Sequence, residues 1–201
     1  MALVLITGGA RSGKSRAAQE LAASRQRDGQ AVTVVVFGSA SDSEMTQRIA
    51  RHKADRPDGF SLLEAEDSRT WIGRVAKGHL LVVDCLGTWL GRVMLESWGA
   101  IAGDADMNEA DVLPDGFEVA VRRGVDVVLS ALVNREDDIV VVTNEVGSGV
   151  VPAYATGRLF RDELGRANRR LADHAQASYL AISGRLLDIG SLPRAATWPE
   201  D

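Results

Sequence analysis

Residues 8–15 read Gly-Gly-Ala-Arg-Ser-Gly-Lys-Ser and follow at once on the apolar run Leu3-Val4-Leu5-Ile6. This segment narrows the possible folds more than any other. Glycines let backbone N–H groups turn inward around an anion, a helix opening behind them adds its positive end, and a lysine supplies a mobile point charge. The spacing G-x-x-x-x-G-K-[ST] between a strand and a helix is that of a phosphate-binding loop. Gly8, Gly9, Ala10, Arg11, Ser12, Gly13, Lys14 and Ser15 are therefore expected to bind a nucleoside triphosphate. Lys14 would act on the β- and γ-phosphates, and the Ser15 hydroxyl would reach Mg²⁺. A glycine turn with a surface lysine would account for neither the spacing nor its flanks.

The remaining pattern agrees with such a loop. Apolar runs at 2–7, 31–37, 79–84, 138–143 and 177–183 are continuous (Val34-Val35-Val36, Ile139-Val140-Val141-Val142) rather than alternating. Strands covered on both faces look like this, as in parallel sheets of α/β proteins. Helical patterns lie between them. Residues 12–25 place Ala17, Ala18, Leu21 and Ala22 on one face, and 158–175 place Phe160, Leu164, Ala167 and Leu171 in one stripe. The expectation is a mostly parallel central sheet flanked by helices, forming one domain over 1–189 with a loosely docked tail at 190–201. Residues 96–118 hold seven acidic residues and no Lys or Arg. They read as an acidic connecting insertion, partly helical at most, either a solvated loop or a lid.

Composition excludes several functions. The formal net charge of −5 argues against a general nucleic-acid binder. The single cysteine, Cys85, permits no intramolecular disulfide and suits a reducing compartment. The apolar run at the N-terminus is too short for a signal peptide, and no stretch approaches the ~20 apolar residues of a membrane span. A cytoplasmic protein is expected.

Further residues bear on chemistry. Asp84 ends the apolar strand Leu80-Leu81-Val82-Val83, at the edge where α/β folds bind ligands; it is a metal-side acid or the start of a turn. Ser41-Asp42-Ser43-Glu44 resembles a capping box, opening a helix on which Met45, Ile49 and His52 share a stripe. Arg48, Arg51, Lys53 and Arg56 surround His52 and would disfavour a charged imidazole. His52 is thus either a half-buried structural histidine or a phosphate-contacting nucleophile, whereas His79 and His174 read as structural. Asn144 and Glu145 leave the fourth strand beside the loop, as an ordinary exit or as groups that orient a hydroxyl or nucleotide. Arg158, Arg161 and Arg166 offer bidentate phosphate contacts or a solvated helix face.

Taken together, these segments resemble the bifunctional adenosylcobinamide kinase/adenosylcobinamide-phosphate guanylyltransferase family of cobalamin biosynthesis. The likeness rests on residues 8–15, on Arg48-Ile49-Ala50-Arg51-His52-Lys53 with Arg56-Pro57, and on Val83-Asp84-Cys85-Leu86-Gly87-Thr88-Trp89. It continues through Thr143-Asn144-Glu145-Val146-Gly147-Ser148-Gly149-Val150-Val151-Pro152 and Phe160-Arg161-Asp162-Glu163-Leu164-Gly165-Arg166-Ala167-Asn168. The last two runs are the most specific. The resemblance implies a RecA-like P-loop NTPase fold and a homo-oligomer. It also implies two reactions. A nucleoside triphosphate (ATP or GTP, with Mg²⁺) phosphorylates adenosylcobinamide. GMP from GTP then joins adenosylcobinamide phosphate through a guanylylated histidine matching His52. Lys53, Ala54, Asp55, Arg56, Glu64 and Asp84 would contact the nucleotide. Asn144, Glu145, Arg161 and Arg166 are the candidates for binding the acceptor. Gly87 stands where the family often has threonine, and Asp84 where some members have glutamate; neither change removes a necessary group. Two other readings fit parts of the pattern: another small-metabolite P-loop kinase without a covalent step, and a RecA-like ATPase module.

Overall fold

A strand buried on both faces has no polar side to alternate, and the interior strands bear this out. In the computed structural model, which describes residues 1–38, 59–107 and 110–195, β2 (Val32–Val36) and β5 (Ile139–Val142) are buried at every position. With β1 (Leu3–Gly8), β3 (Ser61–Glu64), β4 (Leu80–Asp84), β6 (Ala177–Ile182) and β7 (Arg185–Asp188) they form a seven-stranded sheet. The order is β3-β2-β4-β5-β1-β6-β7, and every pairing is parallel except β6 with β7. β5 separates the phosphate-loop strand β1 from the aspartate-bearing strand β4.

The layers are unequal. α1 (Lys14–Arg27) covers one face, setting Ala18 and Ala22 against Ile6, Val34, Val82 and Val140. The other face carries α2 (Leu86–Ala102), α3 (Phe117–Val133) and α4 (Ala155–His174). There Trp89, Leu90, Val93, Phe117, Val121, Leu164 and Leu171 pack on Leu5, Leu81, Val83 and Val141. Small alanines let α1 lie close to the sheet behind the loop, while larger side chains fill the three-helix side.

The acidic stretch differs in part from its expectation of exposure. Residues 96–102 belong to α2, and Phe117 and Glu118 open α3. Glu96 accepts hydrogen bonds from Ser68 N at 3.0 Å and Ser68 Oγ at 2.5 Å. Trp98 and Phe117 are buried and meet edge to face, with ring centroids 5.2 Å apart. At the start of the tail Gly190 N donates to Ser178 O at 3.1 Å, and residues 190–195 are exposed.

Candidate functional site

With β1 to β6 parallel, their carboxyl ends share one edge. Gly8, Glu64, Asp84 and the residues after Val142 all emerge there. The loop between β1 and α1 needs unusual backbone conformations, with φ of 151° at Gly8, 56° at Arg11 and 100° at Gly13. Glycine supplies two of these without a Cβ penalty. The β6–β7 turn braces the loop, as Gly184 N donates to Ser12 O at 2.9 Å. Lys14 is buried to 7% exposure, and its Nζ donates to Gly9 O at 2.6 Å, folding the side chain back over the loop. Ser15 Oγ donates to Asp84 Oδ1 at 3.1 Å, joining residues 69 apart in sequence. The Ser12 hydroxyl is buried without a hydrogen-bond partner among the described residues. A buried donor left unsatisfied is costly unless a ligand completes it.

β4 passes straight into α2. Thr88 Oγ1 accepts from Cys85 N at 3.3 Å and donates to Cys85 O at 2.8 Å, capping the helix directly after Asp84. The segment after Asp84 is thus a helix start rather than a turn. At the exit of β5, Glu145 N donates to Gly8 O at 3.1 Å, so this segment abuts the phosphate loop. Asn144 Oδ1 accepts from Cys85 Sγ at 3.6 Å on the side of Asp84. The Glu145 carboxylate accepts from Gly147 N at 3.0 Å.

The arginines divide. Arg161 Nη2 donates to Gly147 O at 2.9 Å, bringing this guanidinium to the loop that follows Glu145. Arg158 donates to the carbonyls of Pro152 and Ala153. Arg166 donates to Glu163, a carboxylate buried to 3% exposure that also takes Arg122 Nε from α3 at 2.9 Å. Arg166 therefore takes part in an α3–α4 ion-pair cluster that no local pattern announces, since Arg122 lies 41 residues away from Glu163.

Glu64 ends the edge strand β3, in register with Val36, with β2, β4 and β5 between it and β1. His79 and His174 lie at the opposite edge: His79 Nδ1 pairs with Thr33 Oγ1 at 2.8 Å, and His174 Nδ1 with Arg170 O at 2.8 Å. His52, Lys53, Ala54, Asp55, Arg56 and the capping box at 41–44 lie outside the described residues. Sequence reading passed over Asn168 as a site residue. It accepts from Thr143 Oγ1 at 2.6 Å and donates to Asn144 O at 3.0 Å.

The family model described as cobinamide kinase / cobinamide phosphate guanyltransferase matches residues 4–189. The bifunctional adenosylcobalamin biosynthesis protein CobU of Salmonella typhimurium is 33% identical over 184 residues, covering 90% of this chain and 96% of that protein. CobU of Escherichia coli K12 is 31% identical over 184 residues with the same coverage. CobP of Pseudomonas aeruginosa, described in the same words, is 34% identical over 182 residues, 90% of this chain and 92% of its own. The match runs from β1 through the β6–β7 hairpin and takes in both the phosphate loop and Asp84: the chain belongs to the cobinamide kinase / cobinamide phosphate guanyltransferase family.

Proposed function

We propose that this chain catalyses both reactions of its family: phosphorylation of adenosylcobinamide by ATP or GTP, then transfer of GMP from GTP to adenosylcobinamide phosphate. The observation that carries the reading is the Ser15–Asp84 hydrogen bond beside the buried Lys14, at the foot of a loop whose Ser12 hydroxyl lacks a partner among the described residues. In the kinase step the loop N–H groups and the start of α1 hold the phosphates. Lys14 Nζ leaves the Gly9 carbonyl for the β- and γ-oxygens, a short movement of a charge already shielded from water. Asn144 and Glu145 orient the acceptor hydroxyl beside the loop, and Arg161 lies behind them to take a phosphate of the acceptor.

A magnesium ion fits the donor set. A hydroxyl and a carboxylate oxygen 3.1 Å apart are the hard ligands it takes alongside substrate phosphates, and Ser15 and Asp84 would hold it. When bound, it neutralises charge on the β- and γ-oxygens.

For guanylyl transfer, a neutral His52 nitrogen attacks the α-phosphorus of GTP; a P–N bond forms as the bond to pyrophosphate breaks. A phosphate oxygen of adenosylcobinamide phosphate then attacks the same phosphorus, the P–N bond breaks, and adenosylcobinamide-GDP leaves. Lys53, Ala54, Asp55, Arg56 and Glu64 contact the nucleotide in this scheme. Its support is the sequence around His52 and the family membership. Homo-oligomeric assembly and a cytoplasmic location belong to the same reading.

The test is GTP labelled at the α-phosphate, followed by denaturing electrophoresis. Labelled protein is expected from GTP and not from ATP, with a label stable in alkali and lost in acid. His52→Asn should abolish labelling and guanylyl transfer while leaving kinase activity measurable. Label persisting in that variant, or mapping to His79 or His174 at the far edge of the sheet, would refute the assignment.

A further inference from the structure

We infer that Asn168, on α4 and outside the reactions described above, is a positioning residue for them. It holds the end of β5 so that Asn144 stays between the phosphate loop and Asp84. The inference rests on the proposed role of Asn144 in orienting the acceptor. Thr143 is fully buried, and its Oγ1 donates to Asn168 Oδ1 at 2.6 Å. Asn168 Nδ2 in turn donates to the Asn144 carbonyl at 3.0 Å. One amide orientation alone serves both partners, because a carbonyl can only accept; turning the amide over would set Oδ1 against the Asn144 oxygen. The Thr143 hydroxyl thus orients the amide, and the amide orients the Asn144 carbonyl, two residues beyond the end of β5.

What it holds is the bridge between the two working strand ends. On one side Asn144 Oδ1 accepts from Cys85 Sγ at 3.6 Å, one residue past Asp84. On the other, Glu145 N donates to Gly8 O at 3.1 Å. An apolar side chain of similar size at 168 would preserve packing. It would leave the Thr143 hydroxyl and the Asn144 carbonyl without these partners, and the strand end would no longer be held in one orientation. Partners of this kind, which orient a working group without touching substrate, typically change activity on the order of 10–100-fold.

The experiment measures kinase kinetics of the full chain with Asn168→Leu, alone and combined with Asn144→Ala. The expected result is kcat lowered on the order of 10–100-fold with the nucleotide KM within about threefold of wild type. In the Asn144→Ala background the same change should cost less than about threefold more, because it acts through that residue. Wild-type turnover in Asn168→Leu, or losses that multiply in the double variant, would overturn the inference. Should Asn168→Leu fail to fold, Thr143→Val must show the same kcat-against-KM split and the same coupling; full activity there also overturns it. Asn144→Ala alone separates the two claims. Unchanged turnover removes Asn144 from the site and the inference with it, whereas a loss there with none in Asn168→Leu sinks the positioning role alone.

Discussion

Adding one methyl group at Gly8 should cost this fold about 3 kcal/mol. Gly8 closes β1 at φ 151°, and an ideal Cβ there would lie 2.4 Å from the carbonyl oxygen of Ala181 and 2.9 Å from Ser12 Oγ. Ala181 is the register partner of Gly8 in β6, so the nearer atom is backbone of an adjacent strand and not a side chain that can turn away. The conformation costs an L residue about 1–3 kcal/mol, and forcing extra volume against packed atoms costs about 1–3 kcal/mol. One backbone shift relieves part of both, which places the sum in the lower half of the combined range of about 2–6 kcal/mol. For a chain of 201 residues this converts to a Tm lower by roughly 6–12 °C. Gly9→Ala is the matched control. Nothing lies within 4 Å of its ideal Cβ and its φ is not positive, so stability should stay within about 0.5 kcal/mol of wild type or rise slightly. Thermal unfolding followed by circular dichroism, without nucleotide, measures both. A Gly8→Ala Tm within about 2 °C of wild type, or an equal loss in Gly9→Ala, would refute the steric reasoning.

Lys14→Ala removes the buried cation folded over the loop and should cost on the order of 3 kcal/mol or more of transition-state stabilisation in both reactions; turnover within about threefold of wild type in both assays sinks its role. Asp84→Asn should fold normally but need much more Mg²⁺, a neutral amide being a poor ligand for a hard cation, and an unchanged Mg²⁺ titration counts against the metal role. At the other edge of the sheet, Asp138 accepts from Arg25 Nη2 at 2.6 Å and Ala2 N at 2.8 Å. The Arg25 hydrogen bond is the main influence holding its carboxyl below the usual range, against the opposing effect of partial burial. With the folded pKa depressed, the stabilisation is present above the unfolded value near about 3.9 and is lost as pH falls through the folded one. Asp138→Asn should therefore lower Tm at neutral pH and flatten its decline below about pH 4; an acid limb as steep as that of wild type would contradict this.

Legibility from sequence followed burial. The strand runs that could be read are those covered on both faces, or nearly so, where a continuous apolar string is the physical requirement. β3 and β7 were not anticipated because they are edge strands. Ser61-Leu62-Leu63-Glu64 and Arg185-Leu186-Leu187-Asp188 are short and largely exposed, so nothing forces an apolar pattern on them. The same limit applied to 96–118. Its acidic residues advertise solvent, yet Trp98 and Phe117 tie its ends into the core through contacts that composition does not encode. The phosphate loop was legible for the opposite reason: its geometry is local, and glycine is demanded by dihedral angles within eight consecutive residues.

Strand order is what a linear reading lacks, and it decides which carboxyl-edge residues can work together. Glu64, Asp84, Asn144 and Glu145 all follow or end strands that point the same way, so from sequence each has a similar claim on the phosphate loop. Insertion of β5 between β1 and β4 gives Glu145 a backbone hydrogen bond to Gly8 and sets Asn144 against Cys85. Placement of β3 beyond β2 leaves Glu64 three strands from β1 along the same edge. Asp84, one strand removed, is still reached by Ser15, in the first turn of α1, whose hydroxyl donates to it at 3.1 Å. The specific run from Thr143 to Pro152 and the specific run ending at Asn168 are separate in sequence but form one unit in space, since the Asn168 amide bonds the backbone of Asn144. A side chain that serves a site by gripping the backbone of another residue carries no chemistry of its own to read. It becomes visible only when the hydrogen bonds of that backbone are accounted for one by one.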